Sequence, residues 1–125
     1  AIEHYSNSLE VEPEKVALNP LDEELLKKAV AIVEKHMDNV EFSTEIFARE
    51  MCMSRSNLHI KMKALTGESA NDFIRKMRFN QACKLLKEGK YTVSEISGMV
   101  GFNTPSYFAT SFKKYFGCLP SEYGK

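Results

Sequence analysis

FSTEIFAREMCM, residues 42–53, and YTVSEISGMVGF, residues 91–102, carry the same pattern at an offset of 49 positions. A capping residue, Ser43 or Thr92, opens each copy, and apolar side chains recur at matching places after it. Beyond the turn the offset becomes 50, so the second copy has one more residue there. Two copies are too few for a solenoid, which needs at least three repeats. The pattern therefore predicts a duplicated unit of a short helix, a tight turn and a longer helix.

The rest of the chain is also predicted to be helical, except at its start. Residues 1–18 show no sustained period and are expected to form a linker or flexible segment. Asn19 and Pro20 suit the start of an amphipathic helix that runs to about residue 38. Ser69 and Gly89 suit the two ends of a long helix between the copies. No stretch alternates apolar and polar residues over four or more positions, so strands are not expected.

The sequence thus predicts an all-α fold in which two helix-turn-helix subdomains are joined by a long linker helix and preceded by an amphipathic helix. The domain is expected to span residues 19–125. Its parts are a first helix-turn-helix over about 43–67, a linker helix over about 70–88 and a second helix-turn-helix over about 92–117.

Charge is distributed unevenly, although the 17 Lys and Arg side chains balance the 17 Asp and Glu side chains. Residues 1–48 hold 4 basic and 11 acidic side chains, whereas residues 49–90 hold 10 basic and 4 acidic ones. A basic central block suits a surface that faces a polyanion. A run of charge is equally the ordinary composition of a solvated face, so charge alone leaves both interpretations open.

The cysteines and histidines form no site that the sequence alone reveals. Cys52, Cys83 and Cys118 are scattered, which favours a reducing compartment over a disulfide scaffold. No histidine lies at metal-ligand spacing, and we expect neither a metal nor a cofactor. No apolar run approaches the roughly 18 residues of a spanning helix, and no secretory leader opens the chain. We therefore expect a cytoplasmic protein in which this segment makes no membrane contact.

The longer helix of each copy separates into an apolar stripe and a polar set. Leu58, Met62 and Leu65 share one face in the first copy and are expected in the core. Arg, Ser, Asn and His side chains can reach base edges, and Lys can neutralise phosphate. The polar set comprises Arg55, Ser56, Asn57, His59, Lys61 and Lys63 in the first copy and Asn103, Ser106, Thr110 and Lys113 in the second. Tyr107 suits either the core or the surface.

The linker helix has a length that suits two reading helices. About 19 residues span about 28 Å, while half-sites one DNA turn apart need reading elements about 34 Å apart. A monomer could then present two readers to one face of a duplex. Five basic side chains of this helix are expected to remain on its polar surface: Arg75, Lys76, Arg78, Lys84 and Lys87. Lys84 and Lys87 are expected to be ordinary surface lysines.

Residues 43–125 resemble the DNA-binding domain of the AraC-type transcription regulators. The resemblance is carried by VGFNTPSYFATSFKKYFGCLPSEY (100–123), with support from MCMSRSNLHIKMKALTG (51–67) and IRKMRFNQACKLL (74–86). LNPLDEELLKKAVAIVEKHMDNVEFS (18–43) is similar to the output end of hybrid two-component sensors. These resemblances imply sequence-specific binding of double-stranded DNA, contact with RNA polymerase, and an upstream receiver or sensor domain in a longer protein.

The resemblance also assigns base contacts, to Ser56, His59 and Ile60 in the first reading helix and to Pro105, Ser106, Ala109 and Thr110 in the second. Ile60 stands where such domains often have an arginine, so its contact would be apolar, as with a thymine methyl group, or lost. Pro105 and Ala109 donate no side-chain hydrogen bond, and the first helix is expected to carry more sequence information. The predicted DNA-binding set is Arg55, Ser56, Asn57, His59, Ile60, Lys63, Asn103, Ser106, Tyr107, Thr110 and Lys113.

Other functions and one irregular position stay open at the level of sequence. Cys52 and His59 alone suggest a nucleophile and a base, but no third group orients them, so an enzyme is not expected. A helical module that docks on a transcription partner is the alternative to DNA binding. Gly98, inside the short helix of the second copy, either permits close packing or softens that copy.

Overall fold

The computed structural model describes residues 19–123, so the linker predicted over residues 1–18 lies outside the described residues. The described part of the chain forms helices without any strand, which confirms the all-α prediction. In chain order the helices are α1 (Pro20–Lys35), α2 (Thr44–Glu50), α3 (Arg55–Thr66), α4 (Ala70–Glu88), α5 (Val93–Met99), α6 (Pro105–Phe116) and α7 (Pro120–Tyr123).

Side-chain caps begin these helices where the sequence indicated. The Ser43 hydroxyl accepts a hydrogen bond from the Ile46 amide at the start of α2. Thr92 and Glu95 form a reciprocal capping box at the start of α5, which satisfies two amides that the helix itself leaves unpaired. Because these bonds are local, they were visible in the sequence. The short helix α7 was not predicted.

Helix α1 is shorter than the predicted end at about residue 38. His36 leaves the helical conformation, with φ −103° and ψ 20°. Its imidazole instead stacks on the Phe42 ring, with the ring centroids 4.5 Å apart. The chain therefore turns at His36 and carries residues 36–42 back towards α2.

Buried side chains form two separate clusters that share only helix α4. The first cluster is built from α1, α2, α3 and the first half of α4, and Met77 is its last member along the chain. The second cluster is built from the second half of α4 with α5 and α6, and Phe79 is its first member. Each helix-turn-helix unit thus has its own core, and the two cores meet at the middle of α4.

The turns of the two units have the same backbone conformation. Cys52 has φ 61° and Gly101 has φ 81°, both in the left-handed region. In the first turn the Met53 amide donates to the Ala48 carbonyl oxygen at 2.9 Å, and in the second turn the Phe102 amide donates to the Ser97 carbonyl oxygen at 2.9 Å. These pairs are the ones that the repeat aligned, so the predicted register of the two copies is confirmed.

Two basic side chains that were predicted on the polar surface, Lys76 and Arg78, are engaged within the fold instead, and a third, Lys61, forms an ion pair at the surface. Lys76 is only 5% exposed, and its ammonium lies 2.5 Å from a Glu68 carboxylate oxygen. Arg78 is half-buried and donates to main-chain carbonyl oxygens. Lys61 of α3 lies 3.2 Å from an Asp22 carboxylate oxygen of α1. Because both cores pack on α4, Lys76 and Arg78 face protein, whereas Lys61 stays partly exposed in its ion pair and Arg75, Lys84 and Lys87 are exposed.

Within residues 19–123, no helix combines the length and the apolar composition that a membrane span requires.

Candidate nucleic-acid interface

Every side chain of the predicted DNA-binding set is exposed on the surface. In α3 and the residues around it these are Arg55, Ser56, Asn57, His59, Ile60 and Lys63, and in the second unit they are Asn103, Ser106, Tyr107, Thr110 and Lys113. The opposite face of α3 is buried through Leu58, Met62 and Leu65, and that of α6 through Phe108 and Phe112. Packing therefore anchors the apolar stripe of each helix and leaves its polar face free to meet a partner.

A first cleft of about 490 Å³ lies beside α3. It brings together four predicted side chains, namely Arg55, Ser56, His59 and Ile60. Its remaining walls are Thr44 and Leu58 with Ser69, Ala70 and Asn71, so the starts of α2 and α4 border the cleft. Ile60 is 65% exposed and is the exposed large apolar side chain among the residues that line this cleft.

A second cleft of about 460 Å³ lies between α6 and the linker helix α4. Only Tyr107 and Thr110 of the predicted set line it. The sequence interpretation missed its other members, which are Arg75, Phe79, Ser111, Lys114 and Tyr115. Positions 107, 110, 111 and 114 recur at i, i+3, i+4 and i+7, which is the spacing of one helix face. That spacing could have identified Ser111 and Lys114, whereas Arg75 comes from another helix and needed the tertiary structure.

The second cleft combines two cations with hydroxyl groups. Arg75 pairs with Asp72 at 3.8 Å on the exposed surface of α4, and such an ion pair contributes little to stability. Its guanidinium can therefore exchange the carboxylate for a phosphate at small cost. Burial, followed by the negative charges of Glu68 and Asp72, raises the pKa of Tyr115 to about 12. The Tyr115 hydroxyl accordingly stays protonated at neutral pH.

The two clefts border the same face of α4. Asn71 lines the first cleft and Arg75 lines the second, and residues four apart lie one above the other on a helix. Five predicted residues line neither cleft: Asn57, Lys63, Asn103, Ser106 and Lys113. They remain exposed on or next to the reading helices.

The described residues offer no arrangement for metal binding, since they contain no group of three or more His, Cys, Asp or Glu side chains that could hold an ion. Cys52, the nucleophile candidate, is exposed and lies in the turn at the position that Gly101 takes in the second unit. Its place is explained by the turn of the repeated unit.

Two helix-turn-helix units on one linker helix, each with a buried apolar stripe and an exposed polar face on its second helix, define the class of double helix-turn-helix domains. A family model described as a helix-turn-helix domain matches residues 47–125. The chain belongs to this family as an AraC-type DNA-binding domain. The family is one of DNA-binding transcription regulators and is not an enzyme family.

Similar proteins include a histidine kinase and two solved regulator domains. The histidine kinase P4 of Formosa agariphila is 40% identical over 119 residues, which cover 95% of this chain and 9% of the kinase. The C-terminal domain of AraT, a response regulator from Geobacillus stearothermophilus, is 29% identical with a TM-score of 0.75, covering 86% of this chain and 85% of that one.

The DNA-binding domain of AdpA, a global transcriptional factor solved in complex with a target DNA, is 29% identical with a TM-score of 0.72. The match covers 79% of this chain and 88% of the AdpA chain. By contrast, the chain spans less than a tenth of the length of the kinase relative.

Proposed function

We propose that the chain binds double-stranded DNA in a sequence-specific manner as a transcription regulator, with α3 and α6 in successive major grooves. The observation that carries the proposal is that the polar faces of both helices border clefts on one face of α4. Helix α4 has 19 residues, which span about 28 Å, and half-sites one turn apart lie about 34 Å apart. One duplex face can therefore meet both helices.

The two clefts support different roles for the two helices. The first contains Ser56 and His59, whose side chains donate and accept hydrogen bonds and suit base edges. The second contains Arg75 and Lys114 with several hydroxyl groups, which suits phosphate oxygens. We infer that α3 carries most of the sequence information and that α6 with α4 holds the register on the backbone.

We also propose that this chain is the output domain of a hybrid two-component protein. Support comes from the kinase relative, which aligns with 95% of this chain, and from the response regulator AraT, whose C-terminal domain is similar in structure. An upstream receiver or sensor domain is the partner that would control it. RNA polymerase, the further partner implied by the resemblance, stays a prediction.

The DNA-binding proposal is tested by selecting duplexes from a random pool with the 125-residue chain and footprinting the selected sequence. We expect two protected major-groove stretches about one helical turn apart. The affinity should fall steeply with salt, because each neutralised phosphate contributes about −0.9 to the log–log slope. A flat salt response would favour the alternative, a helical module that docks on a protein partner, and would overturn the proposal.

His59→Ala and Lys113→Ala form a matched pair within this test. Loss of a base contact should relax specificity at one or two positions of the selected site, whereas loss of a phosphate contact should weaken binding about equally on all sequences. Competition binding with single-base variants of the site measures both. If His59→Ala weakened binding to all sequences equally, His59 would not make a base-specific contact.

The two-component proposal needs the full-length protein that carries this chain. Its affinity for the selected duplex should change when the upstream receiver is phosphorylated. An affinity that is the same in both states would contradict this part of the proposal and leave DNA binding untouched.

A further inference from the structure

Arg78 lies at the boundary between the two cores of the molecule. Its neighbour Met77 packs in the first core and its neighbour Phe79 packs in the second. The backbone of α4 is therefore the element that the two cores share at this point. A side chain that contacts both units here can control the angle between them.

The Arg78 guanidinium forms hydrogen bonds with both units. Its Nη2 donates to the carbonyl oxygens of Asn39 at 2.7 Å and His36 at 3.4 Å, which belong to the turn after α1. Its Nη1 donates to the carbonyl oxygen of Gly101 at 3.3 Å, in the turn of the second unit. One side chain thus connects main-chain atoms that lie 39 residues before it and 23 residues after it.

The turn that Arg78 holds in the first unit is itself anchored to α2. The His36 Nε2 lies 2.5 Å from a Glu50 carboxylate oxygen at the end of α2, and the His36 ring stacks on Phe42. The hydrogen bond from His36 lowers the pKa of Glu50, so this carboxylate stays charged at neutral pH. By its hydrogen bonds to residues 36–39, Arg78 is therefore connected to the first helix-turn-helix unit.

The turn of the second unit is pressed against the same guanidinium. A Cβ atom on Gly101 would lie 2.6 Å from the Arg78 Cζ and 2.7 Å from the Met37 carbonyl oxygen. Such distances are far inside van der Waals contact, so only glycine permits this approach. The Asn39 carbonyl oxygen, at 2.7 Å, accepts a short charge-assisted hydrogen bond, which is stronger than a neutral one. A lysine ammonium lacks the planar fork that reaches three acceptors in two directions.

We infer that Arg78 is a positioning residue that sets the orientation of the two helix-turn-helix units and thereby the spacing of DNA half-sites that the chain accepts. The consequence for DNA rests on the proposed function, whereas the effect on orientation does not. A linked pair of binding modules gains affinity only when its geometry allows both to engage at once. Arg78 therefore selects among duplexes by spacing without contacting a base.

The first test measures orientation without DNA. Residual dipolar couplings of the wild-type chain should fit one alignment tensor for residues 20–76 and 80–123 together. In Arg78→Met we expect each unit to keep its internal fit while the two tensors differ in magnitude or direction. Lys84→Met is the control, since it removes an exposed charge from the same helix and should keep a single tensor. A single tensor of wild-type orientation in Arg78→Met would overturn the inference.

The second test varies the duplex. The probes are the selected site, the same site with one base pair inserted or deleted between the half-sites, and a single half-site. We expect the wild type to lose about tenfold in affinity or more on changing the spacing, and Arg78→Met to lose less than about threefold. Binding to the single half-site should be equal in both proteins. Arg78→Lys should behave like Arg78→Met.

The outcomes separate the inference from the proposed function. Equal spacing dependence in the wild type and Arg78→Met would contradict the role of Arg78 and leave DNA binding standing. A wild type without spacing dependence would contradict the proposed binding mode, and the dipolar couplings would still decide whether Arg78 orients the units. If Arg78→Met fails to fold, Arg78→Lys carries both tests.

Discussion

Cys52 holds a backbone conformation that is costly for any residue with a Cβ atom. Its φ is 61°, and Gly101 takes the same place in the second unit with φ 81°. The left-handed region costs an L-residue about 1–2 kcal/mol, whereas glycine enters it without steric cost. Cys52 is therefore a position at which the first unit gives up stability.

We expect Cys52→Gly to raise the free energy of unfolding by about 0.5–1 kcal/mol, once the greater chain entropy of glycine is counted. Urea denaturation measures the change. Cys52→Ala is the control, because it removes the sulfur and keeps the Cβ atom, and it should give no such gain. Equal stabilisation by both variants would show that the side chain, and not the backbone, is the source.

Ile60 lines the first cleft and is an exposed apolar side chain there. If it contacts a thymine methyl group, replacing that thymine by uracil removes the contact and nothing else. Loss of one buried methyl group costs about 0.8 kcal/mol, close to fourfold in affinity. We therefore expect a uracil scan of the selected site to find one sensitive thymine with the wild type.

The same scan with Ile60→Ala should lose that sensitivity, because the variant has no side chain that reaches the methyl group. Competition binding on the paired duplexes measures the difference. If the same thymine stays sensitive in Ile60→Ala, the methyl group contacts another residue. Ile60 would then occupy the position at which related domains often have an arginine without contacting a base itself.

At the scale of elements, two glycines of the second unit differ in whether their surroundings leave room for a side chain. Gly98 lies inside α5 and is exposed, and a Cβ atom there would meet nothing within 4 Å. Its glycine therefore serves no close packing in the described fold and only softens the helix. Gly101, three residues later, is enclosed by Arg78 and the Met37 carbonyl oxygen.

We expect Gly98→Ala to raise the free energy of unfolding by about 1 kcal/mol, as in other helix interiors. Gly101→Ala should lower it by about 2 kcal/mol or more, because it adds a left-handed alanine and a backbone clash. Thermal and urea denaturation of both variants measure the contrast. A neutral Gly101→Ala would mean that the turn of the second unit and the turn after α1 can separate without loss of stability.

Helix α4 shows how the environment divides one type of side chain among different roles. Lys76 is buried against Glu68, Arg78 links the two units, and Arg75 remains exposed at the second cleft. A buried cation needs a partner to offset its lost hydration. The partner of Lys76 is in the loop before α4, and those of Arg78 are in the turns after α1 and α5. The same packing that buries these side chains therefore also supplies their partners.

At the scale of the whole molecule, the proposed phosphate contacts of the second cleft should appear in the salt dependence of DNA binding. Arg75 and Lys114 line the second cleft from two different helices. We expect Arg75→Ala and Lys114→Ala each to reduce the log–log slope of affinity against salt by about 1, because each removes one of the proposed phosphate contacts.

Lys84→Ala is the matched control for this measurement. Lys84 is exposed on α4 and lines a different cleft, next to α1, and its removal should leave the slope unchanged. Titrations between low and moderate salt give the three slopes. Equal reduction by all three variants would mean that overall charge, rather than a phosphate site at the second cleft, determines binding.

Helix positions, the repeat and the apolar stripes followed from the amino-acid sequence because each rests on neighbours within about four residues. Ser43 and Thr92 cap their helices through amides three positions away, and Leu58, Met62 and Leu65 recur at the helical period. The exposed faces of α3 and α6 followed from the same periodicity, and with them the candidate reading residues.

The tertiary structure alone decided which charges are free and which are enclosed. The contacts of Arg78 with Asn39 and Gly101 span 39 and 23 residues, and no local period reports distances of that length. The second cleft likewise joins Arg75 to Lys114 from two helices. Local hydrogen bonds and periodicity determined the helices. Burial and long-range pairing depend on which surfaces meet, and these determined how the two units are held together and which side chains form the second cleft.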